Sequence, residues 1–187
     1  MLSEMPILVL YCTGHGSTAD VAKHIASHIA EQMPPAECHD MHSFDVSTLN
    51  DYTAIVIGSA VHGAHWLPDA TTFITANKAA LTSKPLFAFS VGAPKALPKP
   101  ISHRWQKWED DHIYNNLQKL LDGRVVMHVV LGGKLDKEDV HCCSRWTCGL
   151  IKEGDYKDWE EIDKWADSVV IALKGQESPR RDFFTCT

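Results

Sequence analysis

The sequence predicts an α/β domain: a doubly wound, five-stranded parallel sheet with helices on both faces. Three observations carry this. Apolar runs of strand length recur at 5–11, 52–60, 85–91 and 124–133. Between them lie segments with apolar residues at helical spacing. The first run leads straight into "CTGHGST", a turn rich in glycine and hydroxyls that opens a helix. Strands alternating with helices make βαβ units, and these build a parallel sheet covered on both sides.

Residues 5–11, "MPILVLY", are apolar without interruption, as a strand buried on both faces must be. In 18–32, Val21, Ala22, Ile25, Ile29 and Ala30 fall on one helical face, and the proline pair at 34–35 ends the helix. A weaker strand is expected near 36–42 and brings the count to five. "YTAIVIGSA", 52–60, is the second strong strand. A helix over 67–81 carries Pro68 in its first turn, where a missing N–H costs nothing. "PLFAFSV", 85–91, is the third strong strand. The lysine- and proline-rich "APKALPKP", 93–100, reads as an irregular loop. A helix over 101–121 spaces Ile101, Trp105, Trp108, Leu117, Leu120 and Leu121. The fourth strong strand, 124–133, ends in a glycine pair. The last helix, 158–173, is opened by Asp158 and Glu161, a capping box with Asp in place of Ser or Thr. One domain over 1–173 is expected, with 174–187 a loosely attached tail.

The totals agree. A chain of 187 residues suggests one domain and can bury roughly 70% of its unfolded surface. The net charge of -6 argues against a nucleic-acid footprint. No apolar run of membrane-spanning length occurs, and "MLSEMP" lacks the features of a secretory signal. A cytoplasmic protein is expected, its six cysteines mostly free thiols.

In a parallel sheet, ligands sit at the carboxyl ends of the strands. The turn after the first strand is built for an anion: glycines let the backbone come close, and the helix offers unpaired N–H groups. Gly14, Gly16 and Ala19 form a G-x-G-x-x-A pattern, which a dinucleotide would fit with Glu37 or Asp40 as ribose acid. Thr13, Ser17 and Thr18 point elsewhere. A terminal phosphate has more charge and more free oxygens than a bridging pyrophosphate, and it suits a nest of hydroxyls and N–H groups. There is no Walker lysine. A flavin monophosphate is therefore favoured over a dinucleotide, and the bland alternative is an ordinary capped helix start.

Two further strand ends fit a flat redox ring. "GSAVHGAHW", 58–66, is small and flexible, with Gly63 free to present a peptide group to the ring edge and His62, His65 or Trp66 able to stack on it. "SVGAPK", 90–95, again permits close approach at Gly92 and Ala93, with Lys95 as a candidate positive charge. The expected cofactor contacts are Thr13, Gly14, His15, Gly16, Ser17 and Thr18 for the phosphate, and Ser59, Ala60, Val61, His62, Gly63, Ser90, Val91, Gly92 and Ala93 for the ring.

These segments, "ILVLYCTGHGSTADVAKHIA", "YTAIVIGSAVHGAHWLPDATTFI", "PLFAFSVGAPK" and "DYKDWEEIDKWAD", resemble the flavodoxin-like superfamily. Within it they resemble the flavodoxin-domain group that includes FMN- and quinone-dependent protoporphyrinogen dehydrogenases. The resemblance implies a sheet of order 2-1-3-4-5, one non-covalent FMN and electron transfer. It also implies a phosphate site on Thr13–Thr18 and a ring between 59–65 and 90–94. The chain departs from that group at 134–156, where a long, basic, apolar insertion is replaced by a shorter segment of mixed charge.

Cys142, Cys143 and Cys148, with His141, fit no metal-ligand spacing, so no metal is expected. Cys12 reads as a small packing residue. No G-x-S-x-G elbow occurs, which argues against a hydrolase. Trp105, Trp108, Trp159 and Trp165 read as core or groove lining. Two functions compete: an FMN enzyme acting on a small organic substrate, and an electron carrier docking on a redox partner protein. The extra helical mass at 101–121 favours the enzyme. A homodimer is compatible with either.

Overall fold

In the computed structural model, residues 5–33, 35–135 and 153–177 are described. Five parallel strands form the sheet: β1 (Ile7–Cys12), β2 (Ala36–Asp40), β3 (Ala54–His62), β5 (Leu86–Gly92) and β6 (Val125–Gly132). Their spatial order is β2-β1-β3-β5-β6. Counting only the parallel strands, this is the expected 2-1-3-4-5. A sixth strand, β4 (His65–Trp66), folds back antiparallel on the end of β3.

The strands are buried on both faces, as their uninterrupted apolar sequences require. Side chains alternate between two cores. On one face, Ile7, Val9, Val56, Phe87 and Phe89 pack under α1 (Ser17–Ala30) and α5 (Trp159–Glu177). On the other, Leu8, Leu10, Ile55, Ile57 and Ala88 pack under α2 (Pro68–Ala76), α3 (Lys78–Leu81) and α4 (Lys99–Leu120).

Three details differ from the sequence reading. The helix expected over 67–81 breaks at Asn77, which leaves helical geometry and donates its side-chain amide to the Phe73 carbonyl at 2.9 Å. The loop expected from 58 onward is strand as far as His62. A two-residue ribbon, β7 (Lys134–Leu135) with β8 (Gly154–Asp155), clasps the chain beside the sheet. At the start of α5, Asp158 accepts the Glu161 N–H at 3.2 Å, which is half of the predicted capping box. The other half is diverted, because the Glu161 carboxylate meets Lys95 Nζ at 2.6 Å. The α5 helix continues to Glu177. His141, Cys142, Cys143, Cys148 and residues 178–187 lie outside the described residues. Among those described, no helix is long and apolar enough to cross a membrane.

Candidate functional site

The carboxyl ends of β1, β3 and β5 lie side by side, which gathers the three predicted ligand segments along one edge. The first is the turn 13–16 and the start of α1. Gly16 is the N-cap residue and sits at φ 90°, a left-handed conformation that favours glycine. Gly16 has no side chain to cap this helix, and the first N–H groups of a helix have no acceptor within it. A Cβ placed on Gly14 or Gly16 would meet no protein atom within 4 Å. The turn thus borders open space, with a helix dipole aimed into it.

Two hydroxyls frame that space. Thr13 Oγ1 accepts the Gly16 N–H at 2.9 Å, and Ser17 Oγ accepts the Lys134 N–H at 2.9 Å. Each oxygen is held from behind by a backbone donor, which leaves its proton to donate outward. This donor set fits a phosphate. Thr18 differs: it is buried in the inner face of α1. His15 is exposed. Glu37 and Asp40, the acids a dinucleotide would need, are engaged elsewhere. Glu37 accepts the Tyr52 hydroxyl at 2.7 Å, which holds its carboxyl below the ordinary range, and Asp40 binds the His42 N–H at 2.9 Å.

The second segment is a β-hairpin. His62 pairs with His65 and Val61 with Trp66 around a two-residue turn at Gly63 and Ala64. Both turn residues have positive φ, 60° and 62°, the geometry that matches the twist of a tight hairpin. The Ser59 hydroxyl is spent inside, where it donates to the Ala60 carbonyl at 2.8 Å and accepts the Leu67 N–H at 3.1 Å. Trp66 is also turned inward: its indole N–H donates to Ser90 Oγ at 2.7 Å. Of the three candidates for ring stacking, His62 and His65 remain exposed.

The third segment follows Ser90. The Ser90 side chain is fully buried and also meets His128 Nε2 at 2.8 Å. At both segments predicted to flank a ring, then, the serines are committed to the fold, and backbone is what these positions offer a ligand. Lys95 is committed as well. Burial works against its charge, but Glu161 at 2.6 Å and Asp158 at 3.3 Å outweigh that and raise its pKa. Cys12 is buried as expected, and burial pushes its thiol pKa up, away from reactivity.

An aromatic shelf on α4 lies beyond the hairpin. Ile101, Trp105 and Trp108 are 49%, 43% and 48% exposed and, with Arg104, line a shallow depression. Trp105 and Trp108 are 5.0 Å apart, Trp108 stacks on His112 at 5.1 Å, and His112 meets His65 edge-on at 5.6 Å. The shelf therefore runs to the hairpin itself. Its helical spacing was visible in the sequence, but its exposure was not.

Comparisons with known proteins agree with this geometry. The family model described as "Flavodoxin domain" matches residues 8–161. The chain belongs to the flavodoxin-domain family. It is a flavoprotein, and its cofactor is FMN. A curated relative, protoporphyrinogen IX dehydrogenase [quinone] of Escherichia coli K12, is 22% identical over 176 residues, covering 88% of this chain and 94% of the relative. Flavodoxin 1 of Bacillus cereus superposes with a TM-score of 0.55 at 19% identity, covering 89% of this chain and 97% of that one. Rubredoxin oxygen:oxidoreductase of Desulfovibrio gigas superposes with a TM-score of 0.57 at 13% identity. The match covers 94% of this chain but only 38% of that longer protein. These likenesses make the flavodoxin-domain chain a flavin oxidoreductase or electron carrier.

Proposed function

We propose that this chain is an FMN-dependent oxidoreductase that exchanges electrons with a small organic substrate, a quinone, a porphyrinogen or a related biosynthetic intermediate. FMN supplies the redox chemistry, and the protein supplies position and electrostatics. The phosphate is held by Thr13, Gly14, His15, Gly16, Ser17 and Thr18, the first five lining the turn and Thr18 anchoring the helix beneath it. The ring lies between the backbone of Ser59, Ala60, Val61, His62 and Gly63 on one side and that of Ser90, Val91, Gly92 and Ala93 on the other.

The observation that carries the enzyme reading is the exposed shelf of Ile101, Trp105 and Trp108, joined through His112 to the hairpin at His65. Three large apolar side chains left in water beside a redox site mark a surface that binds an apolar partner. The printed activity of the Escherichia coli relative, a protoporphyrinogen dehydrogenase that uses quinone, supports the same substrate class.

The test, run without oxygen, is to mix the reduced FMN-loaded protein with quinones and the oxidised FMN-loaded protein with porphyrinogens, then repeat both with the Trp105→Ala/Trp108→Ala variant. The expected result is electron transfer by the wild type, with a KM about ten-fold higher in the variant and FMN affinity unchanged. Reduced wild type that passes electrons to a redox protein and to no small molecule would instead make the chain a carrier.

A further inference from the structure

Behind the hairpin, four side chains from four elements form one buried hydrogen-bonded line. Trp66 Nε1 is 2.7 Å from Ser90 Oγ, and Ser90 Oγ is 2.8 Å from His128 Nε2. His128 Nδ1 is 2.6 Å from Asp110 Oδ1. The Ser90 residue and the His128 side chain are 0% and 1% exposed, whereas the Asp110 side chain is 40% exposed. Tyr114 stacks on His128 from the same helix as Asp110, with ring centroids 6.4 Å apart.

With a neutral imidazole, proton counting leaves this line one arrangement. An indole N–H can only donate, so Ser90 Oγ accepts. The Asp110 carboxylate can only accept, so the Nδ1 that faces it carries the ring proton, and Nε2 of the neutral imidazole is then bare and accepts the Ser90 O–H. His128 is thereby the Nδ1–H tautomer and donates to Asp110. Ser90, His128 and Asp110 have the spacing of a hydrolytic triad but cannot serve as one. The serine is sealed from solvent, so its oxygen cannot reach a substrate carbonyl.

We infer that Asp110 and His128 are positioning residues for the flavin ring. Trp66 is paired to Val61 across the hairpin, and Ser90 leads directly into Val91–Gly92–Ala93. The Trp66–Ser90 bond therefore joins the two segments proposed to flank the ring. The remaining bonds tie that junction to α4, two residues from Trp108. Losing the Asp110 acceptor lets the imidazole proton move to Nε2. Two donors then converge on Ser90 Oγ, its own proton has no acceptor, and the junction loosens. This inference rests on the proposed placement of the ring and is independent of which substrate the shelf takes.

The experiment uses the full chain and the variants Asp110→Ala and Asp110→Asn. Nitrogen NMR of the imidazoles, before FMN is added, reads the His128 tautomer. Titrations with FMN and with riboflavin then read affinity. The Nδ1–H tautomer is expected in the wild type and in Asp110→Asn, which keeps an acceptor. In Asp110→Ala the preference for Nδ1–H should weaken, with a share of the Nε2–H tautomer detectable, and FMN and riboflavin should both bind about ten-fold more weakly, a factor set by one hydrogen bond to a charged group. An Nε2–H tautomer in the wild type would overturn the inference. So would a tautomer change in Asp110→Ala with both affinities intact, which would leave the ring placement standing. FMN weakened with riboflavin unaffected would show that the line acts on the phosphate end, and would overturn it too. Wild type that binds FMN but not riboflavin, with Gly63 and Gly92 variants equally indifferent, would sink the ring placement itself.

Discussion

The two faces of the sheet are built on different rules. Under α1 and α5 the core is nearly all hydrocarbon, Ile7, Val9, Val56, Phe87, Phe89, Ile162 and Val169, with Thr18 and the indole N–H of Trp165 as its buried polar groups. Under α2 and α4 the core holds apolar residues of the same kind, but buried polar groups cross it: Ser59, Ser90, His128 and Glu109. Burying polar groups is costly unless each one is paired, so a chain that needs only to fold has no use for them. They cluster on the face behind the ring segments. The dry face supplies stability, and the wet face sets geometry.

The largest effect expected is on the dry face. Phe87 is fully buried there, and Phe87→Ala should cost about 3–5 kcal/mol, read by urea unfolding. FMN affinity of the molecules that remain folded should not change. A comparable loss of affinity in this variant would erase the distinction between the faces.

Glu109 tests the wet face. It is only 6% exposed, and burial, helped by the neighbouring Asp110, pushes its pKa up to about 7 from 4.5. The folded chain therefore holds this proton more tightly than the unfolded chain does. Stability is lost as pH rises from about 4.5 to about 7, and the cost persists above that range. Glu109→Gln should stabilise the protein by on the order of 2–3 kcal/mol at pH 8 and by little at pH 4.5. Equal melting shifts at both pH values would refute the assignment.

At the phosphate turn, Ser17→Ala removes one outward donor and the acceptor of the Lys134 N–H. FMN should bind about ten-fold more weakly, by fluorescence titration, while riboflavin, which has no phosphate, should bind as before. The smallest effect belongs to Trp165. Among the described residues its buried indole N–H finds no hydrogen-bond partner, although the ring packs on Phe89 at 5.8 Å. Trp165→Phe should leave stability within about 1 kcal/mol of the wild type, because the lost area is offset by the removal of an unsatisfied donor. A loss of several kcal/mol would mean that the dry face depends on that indole.

The phosphate turn was legible in the sequence because its chemistry is local: glycines, hydroxyls and a helix start lie within Thr13–Thr18. The strand order followed from the resemblance. The hairpin was hidden because Gly63–Ala64 lacks the Asn-Gly or Asp-Gly signature of a tight turn. The line from Asp110 to Trp66 was hidden for another reason. Its members are scattered along the chain, and only the register of β5 on β6, Ser90 near His128, brings them together. One signal did exist. Glu109 sits four residues before Ile113 on the inward face of α4, where an apolar residue is the rule.

The clasp of Lys134–Leu135 on Gly154–Asp155 has a consequence for how such a protein can change over generations. It pins the chain on both sides of residues 136–153, so the sheet need not register how long that stretch is. Closing a longer excursion costs only about 0.6 kcal/mol per doubling of its length. An insertion between Leu135 and Gly154 should therefore cost the fold little, because the clasp fixes both ends of whatever length lies between.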